Sequence, residues 1–247
     1  MASTTETGHA KNVANLDELI SFATGYEKDY NPSKPSIKLE ALQSLSASAK
    51  NANAAVNSAL PAFSNAVAAR EAAFAPLSKL VTRVLNALKA TDTTIQVYES
   101  ARTLVRKIQG RRATAKKSPD EIKALSADGK EAVEISSSQM SYNSRLDNFD
   151  KLIKLLGSVS LYAPNEEDLK ITSLTALHND LNAKNIAVVN AAVPLSNARI
   201  SRNNVLYKAN TGLVDIAADT KTYIKSLYGA TSPQFKQVSK LEFNTLN

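Results

Sequence analysis

Two stretches of the chain, YNPSKPSIKLEALQSL at residues 30–45 and YAPNEEDLKITSLTAL at residues 162–177, lie 132 positions apart and follow one pattern. Each begins with a Tyr-x-Pro turn and continues into a long run of helix-forming residues. A repeat at one fixed offset indicates two similar halves that arose by internal duplication. The identical positions in this register are Tyr30/Tyr162, Pro32/Pro164, Lys38/Lys170, Leu42/Leu174, Leu45/Leu177, Asn53/Asn185, Ala55/Ala187, Val56/Val188, Ala59/Ala191, Ser64/Ser196, Asn65/Asn197, Ala66/Ala198 and Arg70/Arg202.

The match extends, with one gap, to the segments that precede the turns, where NLDELI from Asn15 aligns with NFDKLI from Asn148. Each half is therefore predicted to hold three helices: a medium one, a very long one after the Tyr-x-Pro turn, and a shorter one after a Thr/Ser-rich turn. The predicted division is a polar N-terminal tail at 1–14, a first helical half at 15–109, a basic loop and connecting helix at 110–147, and a second helical half at 148–247.

Composition and spacing predict an all-α fold. Of the 247 residues, 43% are hydrophobic and only seven are glycine, which favours helices with few obligatory turns. Apolar residues recur every 3.5 residues, as in coiled coils. This spacing predicts an elongated antiparallel bundle with two seams: Leu42, Ala49, Val56, Phe63, Arg70, Leu77 and Val84 in one, and Leu60, Val67, Phe74, Val81 and Leu88 in the other.

The long segment of the first half is predicted to be a continuous helix over 37–89, which would span ~80 Å at 1.5 Å per residue. Pro61 and Pro76 lie inside it, and an interior proline removes a backbone hydrogen bond. The seam keeps its phase across both prolines, so kinks are expected rather than a break.

Arg70 and Arg202 occupy the same seam position in the two halves. A charge in an apolar seam costs stability unless it is paired, and polar seam residues commonly fix register or the choice of partner. We expect a register role for this pair, with ligand binding as the alternative.

The excess positive charge of the chain is concentrated between residues 102 and 117. The net charge is +7, and the basic residues outside this stretch equal the acidic ones in number. The basic tip, as we call it, consists of Arg102, Arg106, Lys107, Arg111, Arg112, Lys116 and Lys117. It can contact an acidic protein surface, bind nucleic acid or another polyanion through phosphates, or remain a solvated loop. Aromatic residues for base stacking are missing from it.

A helix is predicted to begin after the basic tip. Ser118, Pro119 and the acids Asp120 and Glu121 combine a hydroxyl cap, a proline at the first position and negative charge at the positive helix end, so a helix is expected from Pro119 to about Leu156. Residues 118–150 carry seven acids and three bases. A basic tip beside an acidic shaft favours the docking of one copy on another.

No catalytic pattern is visible. His9 and His178 are the only histidines, there is no cysteine, and no phosphate loop, nucleophile elbow or dinucleotide fingerprint occurs. The acids Glu166, Glu167 and Asp168 fit compensation of a helix dipole better than paired catalytic carboxylates. The sequence therefore predicts a non-enzymatic protein without a cofactor or metal site.

The segments AREAAFAPLSKLVTRVLNALKA, RKIQGRRA, SRLDNFDKLIKLL and YIKSLYGATSPQFKQVS, from Ala69, Arg106, Ser144 and Tyr223, give the chain a resemblance to uncharacterised helical proteins of Bacteroidota bacteria. The resemblance implies a bacterial, cytoplasmic setting and no functional residues. No secretory signal or membrane-spanning run is recognised, and the absence of cysteine is compatible with a reducing compartment.

The expected function is that of a structural protein that associates with copies of itself into filaments or tubules. Two alternatives stay open: a binder of nucleic acid or another polyanion that uses the basic tip, and a membrane-active helical protein.

Overall fold

The computed structural model describes residues 7–111 and 140–245, and this part of the chain is all-α. Three short 3-10 helices lie at Glu27–Asp29, Pro35–Ile37 and Glu167–Leu169. The α-helices are α1 (Thr7–Gly25), α2 (Leu39–Phe74), α3 (Leu77–Lys89), α4 (Ile95–Gln109), α5 (Tyr142–Gly157), α6 (Ile171–Tyr207), α7 (Leu213–Tyr228) and α8 (Pro233–Ser239).

The chain divides into two compact units, and each unit draws on both ends of the sequence. Unit 1 comprises Met1–Ser64 and Ala191–Asn247, and unit 2 comprises Asn65–Asn190. The division falls inside the long helices α2 and α6. The compact units thus differ from the sequence halves 15–109 and 148–247, because contacts through space, rather than neighbours along the chain, define them.

Unit 1 is built from α1, the first part of α2, the last part of α6, α7 and α8. Its core takes one face of α1 together with residues of the other helices. The buried side chains are Val13, Leu16, Leu19, Ile20, Ala23, Tyr30, Ile37, Leu42, Ala49, Leu206, Leu213, Ile216, Ala217, Ile224, Val238 and Leu241.

Unit 2 is built from the end of α2, α3, α4, α5 and the first part of α6. Here α4 packs between α3 and α5, so that its apolar face is covered. The buried side chains are Phe74, Leu77, Val81, Val84, Leu88, Ala101, Val105, Ile108, Leu146, Phe149, Leu152, Ile153, Leu156, Tyr162, Leu169, Leu174 and Leu181.

The two Tyr-x-Pro turns are built alike. The hydroxyl of Tyr30 donates a hydrogen bond to the carbonyl of Ile37 at 2.6 Å, and that of Tyr162 donates to the carbonyl of Leu169 at 2.9 Å. In each turn a 3-10 helix follows the tyrosine, and the long helix begins directly after it. A buried phenol thus fixes the entry into each long helix through a main-chain contact seven residues ahead.

Burial along the long helices follows the seven-residue spacing. On α6 the side chains of Leu174, Leu181, Val188, Leu195 and Arg202 are all buried. On α2, Leu42, Ala49 and Val56 are buried, whereas Phe63 and Arg70 of the same seam are half-buried.

The prolines behave differently from one another. Helix α2 passes through Pro61 without interruption, but it ends at Phe74, and Pro76 is the N-cap of α3. The prediction of one helix over 37–89 is therefore wrong at Ala75 and Pro76. Proline lacks the amide that would continue the helix, and its fixed backbone suits a new start.

Two further boundaries differ from the sequence predictions. Helix α1 begins at Thr7 and buries Asn12 and Val13, so residues 7–14 are helical although 1–14 is predicted as a polar tail. Met140 and Ser141 are not helical, and Ser141 caps α5 by accepting a hydrogen bond from the amide of Ser144. A single helix from Pro119 to Leu156 is thus excluded at these two residues, while its start at Pro119 lies outside the described residues.

Candidate interaction sites

Within 7–111 and 140–245, no three His, Cys, Asp or Glu side chains come together as metal ligands would. The Nδ1 atom of His9 lies 2.6 Å from the hydroxyl of Tyr207, and the ring of His178 lies 6.3 Å from that of Phe149. Each histidine packs against an aromatic ring.

The acids Glu166, Glu167 and Asp168 lie at the 3-10 helix before α6, and two of them form ion pairs. Lys170 lies 2.6 Å from Glu167, and the guanidinium of Arg83 on α3 forms a two-bond pair with the carboxylate of Asp168. The nearby carboxylate raises the pKa of Arg83. These contacts tie α3 to the start of α6 within unit 2.

The described part of the basic tip lies at the end of α4, whose negative dipole end favours cations. Arg102 pairs with Glu99 at 3.0 Å, and Arg106 donates to the hydroxyl of Thr103 at 3.0 Å. Gly110 ends the helix in the left-handed conformation, with φ of 68°. Lys107 and Arg111 are also described, whereas Arg112, Lys116 and Lys117 lie outside the described residues.

The described acids of the proposed shaft are paired within their own helix. Lys151 lies 2.6 Å from Asp147, and Lys154 lies 2.6 Å from Asp150, each one turn away on α5. Asp120, Glu121, Asp128, Glu131 and Glu134 fall outside the described ranges. Local pairing reduces the charge that α5 offers to a partner.

The seam position of Arg70 carries a cation packed on an aromatic ring. Its guanidinium carbon lies 4.0 Å from the centre of the Tyr142 ring, and its Nη1 donates to Asn185 at 3.4 Å. Asn185 in turn donates to Asn143 at 2.7 Å. Arg70 therefore joins the last turn of α2 to the first turn of α5 and to α6.

A second arginine packs beside this cluster. Arg145 on α5 donates to the carbonyl of Phe74 at 3.3 Å and lies 5.3 Å from the centre of its ring, so it caps the end of α2. Burial lowers the pKa of Arg145. In the described part of unit 2, neither Arg70 nor Arg145 forms an ion pair. The Nε atoms of both are buried without a hydrogen bond.

The other seam arginine, Arg202, lies on α6. Its side chain is buried and donates to Asn203 at 3.1 Å. Sequence analysis missed Tyr142, Arg145 and Asn185. A signal for Asn185 was available, because it matches Asn53 and lies one helical turn, three residues, before the seam position Val188.

An aliphatic row runs along α6 on the side away from the buried seam. Ile186, Val189, Val193 and Ile200 are exposed by 50%, 62%, 54% and 56%. At about 100° per residue, Ile186 and Val189 of unit 2 lie about 60° apart around the helix, and Val193 and Ile200 of unit 1 lie about 20° apart. Residues 185–198 contain no charged side chain. The positions that match this row on α2 hold Ala54, Asn57, Pro61 and Ala68, so only α6 presents large aliphatic side chains.

The comparisons with known proteins give no relative. No protein family, curated protein or solved structure matches the chain. Among the helices of the described residues, none has the length and apolar character needed to cross a membrane.

Proposed function

We propose that the protein is a non-enzymatic structural protein that associates with copies of itself. The observation that carries this proposal is the aliphatic row on α6. In each unit, two large apolar side chains of α6 are exposed by half or more and lie near each other on the helix surface, which is typical of a surface that another helix covers.

The residues beside the row suit close helix packing. Ala183, Ala187 and Asn190 lie next to it and are small, so a second helix can approach closely. The row repeats at three, four and seven residues, which matches the spacing of a partner helix with the same sequence. A row of this kind on two copies can pair with itself through a twofold axis, the commonest symmetry of homo-oligomers.

We further propose that the fold is an elongated antiparallel bundle that arose by duplication. The two Tyr-x-Pro turns support this origin, since Tyr30 and Tyr162 make the same contact seven residues ahead. Leu42 and Leu174, which follow them, are both fully buried.

In this proposal Arg70 fixes the register of α2 against α5 and α6, and the basic tip orients copies relative to one another. Exposed ion pairs contribute little each, so they set orientation more than strength. A filament or tubule is the assembly that we expect, in the cytoplasm. The binding of nucleic acid by the basic tip is the alternative, and it predicts a steep loss of affinity as salt rises.

The test replaces two residues of the row. Ile186→Ser with Val193→Ser should weaken self-association at least tenfold, because each aliphatic side chain that becomes buried contributes roughly 1.5–3 kcal/mol. Light scattering across a concentration series gives the dissociation constant, and electron microscopy shows whether filaments form.

The matched control is Ile95→Ser on α4, since Ile95 is exposed by 64% and stands outside the row. It should leave self-association unchanged. A parent protein that stays monomeric at high concentration would contradict the proposal, and so would equal effects of the row and the control variants.

A further inference from the structure

An extended segment of unit 1, residues 241–245, lies along α1 and α7 and is held by side chains. Asn15 donates to the carbonyl of Glu242 at 2.6 Å, and Lys221 donates to the carbonyl of Leu241 at 2.9 Å. Asn12 both donates to the carbonyl of Asn244 and accepts from its amide, each at 2.8 Å. All four contacts reach main-chain atoms of the segment.

This arrangement is a groove for an extended peptide. The amide of Asn12 offers one donor and one acceptor to a single residue, as a neighbouring strand does in a sheet. Asn15 contacts the residue two positions earlier, which faces the same side of an extended chain. Recognition through main-chain atoms tolerates sequence changes in the peptide, while Leu241 supplies a buried apolar anchor.

The groove requires an occupant. The Asn12 side chain is fully buried with the segment in place, and departure of the segment would remove its two hydrogen bonds to Asn244 and leave the one to the hydroxyl of Tyr207. The contacts come from α1 and α7, and fourteen of the sixteen buried apolar residues in their shared core lie outside residues 233–245. The groove is therefore present whichever chain provides the segment.

The element that carries the segment is lightly anchored. We call residues 233–245 the arm. Within it, α8 has seven residues and buries Val238, Leu241 follows as the second buried side chain, and Phe235 and Phe243 pack half-buried against the core. An open cleft of about 470 Å³ is lined by residues 241–244 together with Val214 and Ala218 of α7. Two of the sixteen buried apolar side chains of this core belong to the arm, so most of the core stays covered when the arm leaves.

The turn before the arm has the character of a hinge. Gly229 ends α7 with φ of 87°, a conformation that L side chains rarely adopt, and it has open space around its Cα. Ser232 then caps α8 by accepting from the amide of Phe235 at 3.1 Å. A rotation of the backbone at Gly229 would change the direction of the arm. Helix α8 would stay intact, because its cap Ser232 lies after Gly229 and moves with the arm.

We propose that the arm is exchanged between two copies, so that residues 241–245 of one copy occupy the groove of the other. The closed and the exchanged forms contain the same contacts in the groove, so the exchange costs little beyond the loss of free motion. The inference rests on the proposed self-association and names a contact separate from the aliphatic row. The occupant is a second copy because the groove already fits this segment.

Cysteine pairs test the exchange directly, because the chain has no cysteine of its own. Two single variants, Asn15→Cys and Glu242→Cys, are mixed after brief incubation in mild denaturant and treated with a short bismaleimide. Neither variant can react within one chain between groove and segment. A mixed covalent dimer therefore requires the segment of one copy in the groove of another.

We expect about a hundredfold more mixed dimer than from the control pair Asn15→Cys with Ser100→Cys, because docked thiols face each other at millimolar effective concentration and free chains meet at ~10 µM. Ser100 is exposed on α4, outside the groove. Tagged chains of different mass identify the mixed product on a denaturing gel.

A yield equal to that of the control pair would overturn the exchange. If light scattering still shows oligomers in that case, self-association stands and only the arm is excluded. If both variants are monomeric at every concentration, the proposed function fails as well. Circular dichroism verifies that each variant keeps the parent helicity.

A second measurement uses the unaltered chain. A synthetic peptide of residues 233–245, added in excess, should compete for the groove and lower the fraction of exchanged dimer. A peptide with Leu241→Ser and Val238→Ser serves as its control. Equal dimer fractions with the two peptides would contradict the proposal, whatever the behaviour of the cysteine variants.

Discussion

Helix α4 in unit 2 and the arm in unit 1 are held in place by different interactions. Helix α4 has 15 residues and buries Ala101, Val105 and Ile108. The arm has a seven-residue helix that buries Val238, followed by a segment that buries Leu241 and is held through hydrogen bonds to main-chain atoms. Burial of an aliphatic side chain contributes roughly 1.5–3 kcal/mol, against about 0.5–1.5 for a net hydrogen bond. Helix α4 is thus a permanent part of its unit, and the arm is suited to leave.

The largest effect that this comparison predicts is in the cores. Ile108→Ala on α4 should lower the free energy of unfolding by about 2–5 kcal/mol, because the side chain is fully buried and its truncation leaves a cavity in the core. Leu241→Ala in the arm should lower the free energy of unfolding clearly less than Ile108→Ala, since the arm can detach while the rest of unit 1 stays folded. Urea unfolding measures both.

Amide exchange separates the two cases further. Leu241→Ala should speed exchange within residues 233–245 only, whereas Ile108→Ala should speed it throughout α3, α4 and α5. The two variants could lose the same free energy of unfolding in urea and show faster amide exchange over equally long stretches of the chain. That result would show that the arm is as firmly held in its unit as α4.

The next largest effect is expected at the Tyr-x-Pro turns, which both units contain. Tyr30→Phe and Tyr162→Phe each remove one buried hydrogen bond and leave a carbonyl without its donor. Each variant should therefore lower the free energy of unfolding by about 1–3 kcal/mol, and the two decreases should be similar. A large difference between the two variants would break the equivalence of the turns.

The same tyrosines give a pH dependence. Burial raises the pKa of Tyr30 and of Tyr162 from 10.0 to about 12. The folded protein therefore favours the neutral phenol. The stabilisation that the two neutral tyrosines give to the folded state is complete below pH 10 and is lost as the pH rises through 12. The free energy of unfolding, measured with a chemical denaturant between pH 10 and pH 12, should decline as the pH rises. In the double variant Tyr30→Phe with Tyr162→Phe this decline should be smaller.

The smallest effect is expected at the basic tip. Arg102→Ser with Lys107→Ser should change the free energy of unfolding by less than about 1 kcal/mol, because exposed ion pairs contribute little. If the tip orients copies, the variant should form oligomers of altered shape at low salt and unaltered shape at high salt. Unchanged assembly together with lost retention of DNA or RNA in a shift assay would favour the nucleic-acid alternative.

The sequence by itself determined the helical class, the seven-residue burial and the site of the turns. Leu42, Ala49 and Val56 are buried where the spacing places them, because helical periodicity is a local property that each residue carries into the structure. The repeat likewise located both Tyr-x-Pro turns. Local rules also account for the start of α3 at Pro76, although the continuous seam pointed to an unbroken helix.

Only the tertiary structure decided which elements meet. Asn12 contacts Asn244 across 232 positions, and Arg70 stacks on Tyr142 from another helix. Nothing in the local pattern around Asn12 distinguishes a residue that binds a distant main chain from one that faces water. Side-chain hydrogen bonds and cation–ring contacts are short-ranged, so they arise only after the burial of apolar faces has brought distant segments together.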